Sequence, residues 1–443
     1  MYDLLVLGAG PGGYEAASIA GKKGLKVGII EKKNVGGTCL NEGCIPLKYF
    51  LHASKILKEV SVLKSGGVFV NNEELKVIQQ NIVTNKDSIV AGLRSGINAK
   101  LDNCKVDFIT GKGIIKTIDS EKVAVDVNGN TIEAKKIIIA TGSSERHMIF
   151  GGVPTIPVIY SSDFLNLTNI PERMVIIGAG VIGLEAASYF ADLGVQVTLV
   201  DVIDRVGGQI DSEIEKAYKR ILKKSGVRLE LGKSVSTING NKVDDIETDL
   251  CLVAIGRVPN VKGIGLENIN VEFDNNGVKV DECCRTNLEN VYAIGDVTGK
   301  LMLAHTAYHM AKVAVENILG KDNVTRYDLI PQIIYTNPEI TTVGYTEDYC
   351  KVNNIGYTAH SLPMTYSGKY YAEHGKDGTL IKVISDEKGE KFLGASIMGN
   401  GCSEIGIFFA YLLKHGGTID ELKNFIFPHP TMGEVIKDVA ELF

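Results

Sequence analysis

A chain of 443 residues is long enough for two to four domains, each with a full hydrophobic core. Its 44% hydrophobic and 23% charged residues are ordinary for a soluble globular protein. The net charge of −6 supplies no basic stripe for nucleic acid, and no apolar run reaches the ~18–20 residues that span a bilayer.

The first strand, DLLVL, begins almost at residue 2, so no signal or transit peptide is expected. It runs into LGAGPGGYEAAS (7–18), and a second apolar strand ends in IIEK with Glu31. Strand, glycine loop, helix and acid in that order are the fingerprint of a dinucleotide site. Gly8 permits the tight turn, Gly10 lets the backbone approach a pyrophosphate, and Gly13 lets the helix pack on the sheet. The helix N-terminus turns its N–H groups and positive dipole end to the phosphates. Glu31 can accept hydrogen bonds from a ribose diol.

A few residues on comes GGTCLNEGCIPLK (36–48), in which Gly43 loosens the backbone between Cys39 and Cys44. Two thiols this close can form a disulfide across a small, easily reopened ring. An ideal helix would hold Cα atoms five residues apart at about 8–9 Å, beyond the ~7 Å limit for bridging. The segment must therefore bend, and Pro46 suits the first turn of a helix that starts near Cys44. A thiol at a helix start is held as a reactive thiolate. Half a zinc site is the competing reading, but zinc takes four ligands and no second close pair lies nearby. Cys104, Cys251, Cys350 and Cys402 are isolated, and a bridge between the adjacent Cys283 and Cys284 would be strained. The pattern is that of a reducing compartment with one deliberate disulfide.

The glycine loop then recurs. IGAGVIGLEAAS (177–188) repeats the first loop, with Gly178, Gly180 and Gly183, and LVDV places Asp201. From Gly8 to Glu31 and from Gly178 to Asp201 the offset is the same 23 residues. A carboxylate at Asp201 repels a 2′-phosphate, so the second site should prefer NAD to NADP. Arg205 beside Asp204 reads as a surface ion pair.

Taken with the stretches between and after, these runs resemble the flavin-dependent pyridine nucleotide-disulfide oxidoreductases, in the branch that oxidises dihydrolipoyl groups. IIIATGSS (137–144), with Thr141, Gly142 and Ser143, is similar to the strand and turn closing that family's FAD domain. AIGRVPN (254–260) resembles the turn near Gly256 at the NAD site. VYAIGDVTG (291–299) resembles the second FAD fingerprint, with Asp296 at the ribityl chain. LMLAH (301–305), with Met302, Leu303, Ala304 and His305, resembles the opening of a helix aimed at the flavin. Gly113 matches a glycine near the adenine. YTNPEITTVGYTE (335–347) resembles the start of the dimerisation domain, and FPHPTMGE (427–434) the acid–base segment, in which Glu434 orients His429.

The resemblance implies an α/β fold with two Rossmann-like domains and a C-terminal α+β dimerisation domain. Its segments would be an FAD domain at 1–143, an NAD domain at 144–262, a return to the FAD domain at 263–327 and the dimerisation domain at 328–443. FAD would bind the first glycine loop and NAD the second. Cys39, the more exposed thiol, would exchange with the substrate dithiol, and Cys44 would lie against the flavin as a charge-transfer thiolate. Lys48 would stand near flavin N5, paired with Glu185 across the two nucleotide sites. His429 would reach the disulfide of the other subunit of a homodimer. The implied partner is a lipoyl domain of a 2-oxoacid dehydrogenase or glycine-cleavage complex, with none fused to this chain, and the implied location is cytoplasmic. Competing readings are a glutathione-type reductase, which calls for basic residues where Asp201 stands, and a mercuric reductase, which calls for a C-terminal cysteine pair. A non-catalytic flavoprotein redox sensor is the third. Leu47, Glu42, Phe427, Met310 and Ala311 depart from the family's usual residues, all outside the catalytic set.

Overall fold

The apolar runs become strands buried on both faces, as parallel sheets between helices require. In the computed structural model, which describes residues 1–65 and 77–443, the first sheet draws on β1 (Tyr2–Leu7), β2 (Val27–Glu31), β3 (Val106–Thr110), β4 (Gly113–Ile118), β5 (Val123–Val127) and β6 (Asn130–Ile139). The strand order is β3-β2-β1-β6-β5-β4; β3, β2, β1 and β6 are parallel, and β4, β5 and β6 form an antiparallel meander. The helices of this part are α1 (Pro11–Lys22), α2 (Gly37–Asn41), α3 (Cys44–Ser65) and α4 (Gln79–Asn103).

The chain leaves this sheet through β7 (Ser143–Glu145) and builds a second one. That unit holds β8 (Val158–Ile159), α5 (Ser161–Phe164), β9 (Arg173–Ile177), α6 (Val181–Asp192), β10 (Gln196–Asp201), α7 (Ser212–Lys224) and β11 (Arg228–Leu231). Three two-residue strands follow, β12 (Ile238–Asn239), β13 (Lys242–Val243) and β14 (Ile246–Glu247), then β15 (Leu250–Val253). The main order is β11-β10-β9-β15-β8, all parallel. β16 (Arg257–Pro259) pairs back onto β7 and returns the chain to the first sheet. After β17 (Phe273–Asp274) and β18 (Gly277–Val278), β19 (Val291–Ala293) joins β6 in parallel. The small residues of α1 then meet α8 (Ala304–Ile318): Ala16, Ala17 and Ala20 share a core with Met310, Ala311 and Ala314.

The C-terminal part is an antiparallel sheet ordered β20-β21-β24-β23-β22. Its strands are β20 (Gln332–Ile334), β21 (Ile340–Gly344), β22 (Thr358–Pro363), β23 (Leu380–Ser385) and β24 (Phe392–Met398). Its helices are α9 (Glu347–Val352), α10 (Gly368–His374), α11 (Cys402–Lys414), α12 (Ile419–Asn424) and α13 (Glu434–Ala440).

Two sets of contacts bind these parts together. Leu47, Phe50 and Leu51 of α3 enter the core of the second unit, with the Phe50 ring 5.3 Å from Tyr189 on α6. Lys382, almost wholly buried on β23, pairs with Asp211 at 3.2 Å, Glu213 at 3.3 Å and Glu347. Arg205 belongs to the same seam, which corrects the expected pair with Asp204. Its guanidinium donates to Glu215 at 2.8 Å, the Ile210 carbonyl at 2.8 Å and Asp348 at 3.3 Å, because α7 and α9 present carboxylates from the protein side while Asp204 points to solvent.

Candidate active site

The two glycine loops do what their sequences demand. Gly8 and Gly178 have φ of +107° and +110°, and a Cβ on either would come within 2.3 Å of a carbonyl oxygen, Ala140 or Ala254. Gly13 and Gly183 face the carbonyls of Gly8 and Gly178, where a Cβ would sit at 1.8 and 1.9 Å. Gly10 and Gly180 cap α1 and α6 with extended backbone and leave their Cβ positions almost clear, so each loop offers its N–H groups at close range. Glu31 accepts from the Ala9 and Lys33 N–H groups, both at 2.8 Å. Asp201 accepts from Ala179 at 2.6 Å and Ile203 at 2.8 Å. Both acids are thus aimed across their own loop, with carboxylate lone pairs to spare for a ribose. These cradles fit two dinucleotides.

The thiol run bends as required. Cys39 lies in the short α2, Glu42 and Gly43 break the helix, and Cys44 opens α3 with Pro46 in its first turn. Both sulfurs are free thiols. Cys39 hydrogen-bonds to Cys44, and with burial this pushes the Cys39 thiol far up. The same bond, aided by the Lys48 ammonium and opposed by burial, brings Cys44 down to about 7. The hydrogen bond and the lysine thus favour Cys44 over Cys39 as the seat of negative charge. Cys44 is also the more exposed residue of the two. The reason is local: Cys39 sits inside α2 facing Tyr14 and Tyr308, whose hydroxyls bond each other, while Cys44 occupies the open start of α3. The adjacent Cys283 and Cys284 are likewise unbridged and buried.

Lys48, one turn into α3, donates to both oxygens of Glu185 on α6, at 2.8 and 3.0 Å. The second glycine-loop helix is thereby tied to the helix of the thiols. Lys58 and Asp192 repeat the tie at 2.8 Å further along.

A polar chain runs beside the thiols. Asp296 accepts from the Ser143 hydroxyl at 2.6 Å, and Arg257 donates to the Ser143 hydroxyl at 2.8 Å and its carbonyl at 2.7 Å. Arg257 also reaches the Thr38 hydroxyl at 3.5 Å. Asn260 closes the turn, taking the Thr141 hydroxyl proton on its carbonyl and giving its side-chain N–H to the Thr141 carbonyl, both at 2.9 Å. Gly142 and Gly256 adopt positive φ with open space where a Cβ would be. Leu303 caps α8 after Met302, Ala304 starts it, and the exposed His305 bonds the Pro331 carbonyl at 2.8 Å. Thr306 in the first turn of α8 is fully buried, and its hydroxyl has no partner among the described residues, a polar atom left for a bound group. Gly113 is set by packing: a Cβ there would strike Leu7 at 2.5 Å.

His429 stands apart. Its Nδ1 bonds Glu434 at 2.8 Å, the ring is 81% exposed, and a cleft of about 650 Å³ with Phe425, Ile426 and Tyr366 opens beside it. The Thr431 N–H and His429 together hold the Glu434 carboxyl below its usual value. Among the described residues no hydrogen bond or ion pair joins His429 to Cys39 or Cys44 of the same chain.

Arg257, Asn260 and Tyr335 carry interactions that the sequence reading did not assign, although all three stand inside runs it quoted. Of the departures, Leu47 fills the α3–α6 core and Met310 accepts the Gly295 N–H on its sulfur at 3.4 Å, beside Asp296. Among the described residues no helix is long and apolar enough to cross a membrane.

Residues 2–311 match the pyridine nucleotide-disulphide oxidoreductases, and residues 330–440 match the dimerisation domain of that family, which supports a homodimer. The chain is 36% identical to a dihydrolipoyl dehydrogenase of Mycoplasma genitalium over 99% of its length and 98% of the relative's. It is 34% identical to dihydrolipoyl dehydrogenase 3 of Pseudomonas putida over 99% and 97%. Among solved structures it resembles the HOCl-induced flavoprotein disulfide reductase RclA of Escherichia coli, with a TM-score of 0.88, 26% identity and full coverage of both chains. It also shares the fold of LpdA from Mycobacterium tuberculosis, with a TM-score of 0.90, 24% identity and 99% of each chain covered.

Proposed function

Because the chain belongs to the pyridine nucleotide-disulphide oxidoreductase family, we propose that Cys39 and Cys44 are the redox pair through which it performs the dihydrolipoyl dehydrogenase reaction. Its cofactors are FAD and NAD, and the reaction oxidises dihydrolipoyl groups at the expense of NAD⁺. The observation that carries the residue assignment is the Lys48–Glu185 pair: it ties the helix that begins at Cys44 to the helix of the second glycine loop, so the thiols stand between two dinucleotide cradles.

In the oxidised enzyme Cys39 and Cys44 share a disulfide. A substrate thiolate attacks the Cys39 sulfur; the Cys39–Cys44 bond breaks, a mixed disulfide forms, and Cys44 leaves as a thiolate. Its depressed pKa suits it to leave and to remain charged. His429 takes the proton of the second substrate thiol, which attacks the mixed disulfide; the cyclic disulfide product departs and the Cys39 sulfur recovers the proton. FAD, which Gly8, Gly10, Gly13, Glu31 and Asp296 would hold, would supply the two-electron link between the Cys39–Cys44 dithiol and NAD⁺. Glu434 fixes the His429 tautomer through Nδ1, leaving Nε2 to exchange the proton. Lys48 supplies positive charge beside the thiols and would do so beside a bound flavin, and Glu31 and Asp201 would hold the two riboses, the latter favouring NAD. Thr141, Gly142, Ser143, Asp296 and the 302–305 turn line the FAD side.

We place His429 at the disulfide of the partner subunit, a reading supported by its exposure and its separation from the thiols of its own chain. The donor is a lipoyl domain of a 2-oxoacid dehydrogenase or glycine-cleavage complex, and the site of action is the cytoplasm. The proposed segments are 1–143, 144–262, 263–327 and 328–443; the return of β16 to β7 and of β19 to β6 supports the insertion of the second within the first.

Steady-state assays test this. Dihydrolipoamide should reduce NAD⁺ rapidly and NADP⁺ poorly. Turnover confined to NADPH and glutathione disulfide would overturn it.

A further inference from the structure

We propose that Tyr335 is a positioning residue for the thiol pair, clamping Lys48 and Glu185 from the C-terminal domain. The inference rests on the reading of Lys48 given above. The Lys48 ammonium lies 4.3 Å from the centroid of the Tyr335 ring, within cation–π range. The Tyr335 N–H donates to Glu185 at 2.9 Å, to the same oxygen that Lys48 reaches at 3.0 Å. One residue therefore grips both members of the pair, the cation by its ring and the anion by its backbone.

The grip is built in. Two residues on, the Asn337 N–H donates to Ser188 at 3.0 Å and the Asn337 side chain reaches Asp192 at 3.3 Å. Residues 335–337 thus lie along α6 at Glu185, Ser188 and Asp192, successive turns of one face. A carboxylate alone would let a flexible lysine swing about it; a ring on another side of the ammonium restricts that motion. Cys44 faces Cys39, Lys48, Glu185, Tyr308 and Tyr335, and Lys48 is the one cation among them. Holding Lys48 in place keeps its share of the stabilisation of the Cys44 thiolate, beside the larger share that comes from the Cys39 hydrogen bond.

The test is the pH profile of iodoacetamide modification of Cys44, assigned by mass spectrometry, in the flavin-loaded Cys39→Ser enzyme. Adding Tyr335→Leu should move the midpoint up by about half a unit, roughly a threefold loss of thiolate below it. Tyr335→Phe, which keeps the ring, should leave it in place. Lys48→Met should raise it further, and Tyr335→Leu should then add nothing. Equal shifts for Leu and Phe, or a full Tyr335→Leu shift on top of Lys48→Met, would overturn the proposal. A midpoint unmoved by Lys48→Met alone would instead overturn the reading of Lys48. If Tyr335→Leu does not fold, Tyr335→Gln supplies the ringless comparison.

Discussion

The two glycine-loop units are built almost as copies, and they differ in what packs against them. Each has a twelve-residue helix, a first glycine at φ near +110°, and an acid that accepts the N–H of the alanine between the first two glycines. Even the return of the chain matches: Gly36 donates to the Ala9 carbonyl and Gly207 to the Ala179 carbonyl, both at 2.8 Å. The glutamate two residues after the last glycine marks the divergence. Glu15 pairs with Lys100 of α4 at 2.5 Å within the first unit, both partly exposed. Glu185 is buried and pairs outward, with Lys48 of the first unit and the Tyr335 N–H of the C-terminal domain. The thiol run also approaches the first loop closely, since a Cβ on Gly37 would lie 2.6 Å from the Gly10 Cα, whereas no described residue lies within 4 Å of a Cβ built on Gly180. A duplicated cradle thus becomes a redox relay when one copy receives the thiols and the other binds across to them.

The comparison can be broken most severely at Gly13 and Gly183. An alanine at either must push a backbone carbonyl aside, and we expect about 3 kcal/mol or more of destabilisation, read by thermal melting. Gly13→Ala should shed flavin while Gly183→Ala keeps it; flavin lost equally from both would erase the distinction between the loops.

The glutamates should separate next. Glu185→Ala strands a lysine and a backbone N–H, and urea unfolding should show about 2 kcal/mol lost, less than for a fully buried pair because Lys48 is 30% exposed. Glu15→Ala breaks a surface pair and should cost under ~1 kcal/mol. The acids should then separate by a change smaller than the loss at Glu185. Asp201→Asn should narrow the preference for NAD over NADP by about tenfold, ~1.4 kcal/mol, in kcat/KM. Glu31→Gln should leave that ratio unchanged.

The smallest effect concerns the ionic seam between the second unit and the C-terminal domain. Burial pushes the Glu347 carboxyl up, but hydrogen bonds from Lys351, Lys382 and Tyr357 outweigh it and bring it down to about 2. A depressed carboxylate contributes stability above its unfolded pKa and loses it as pH falls through the folded value. Acid melts between about pH 4.5 and 2 should therefore be flatter in Glu347→Gln. An unchanged slope would remove Glu347 from the seam's electrostatics.

Much of this was legible in the chain. The repeat, the 23-residue offsets and the bend between Cys39 and Cys44 are local patterns with local causes, and the glycines met the constraints expected of them. Gly113 is held by packing as well, since a Cβ there would meet Leu7 at 2.5 Å. What sequence could not supply were relations between distant segments. Arg205 has an acid beside it in sequence but takes Glu215 and Asp348, because burial favours carboxylates brought in by α7 and α9. Tyr335 reads as one more aromatic until the fold lays it on Lys48. The relative exposure of the two thiols depends on which helix each occupies, a property of the bend and not of residue type.

The most direct test is a thiol count at Cys39 and Cys44. The oxidised enzyme is treated anaerobically with one equivalent of NADH, unfolded in iodoacetamide and mapped by mass spectrometry, beside an untreated sample. The account predicts that Cys39 and Cys44 are linked and unmodified before NADH and both alkylated after it, with every other cysteine alkylated in both samples. No change at Cys39 and Cys44, or new thiols elsewhere, would contradict it.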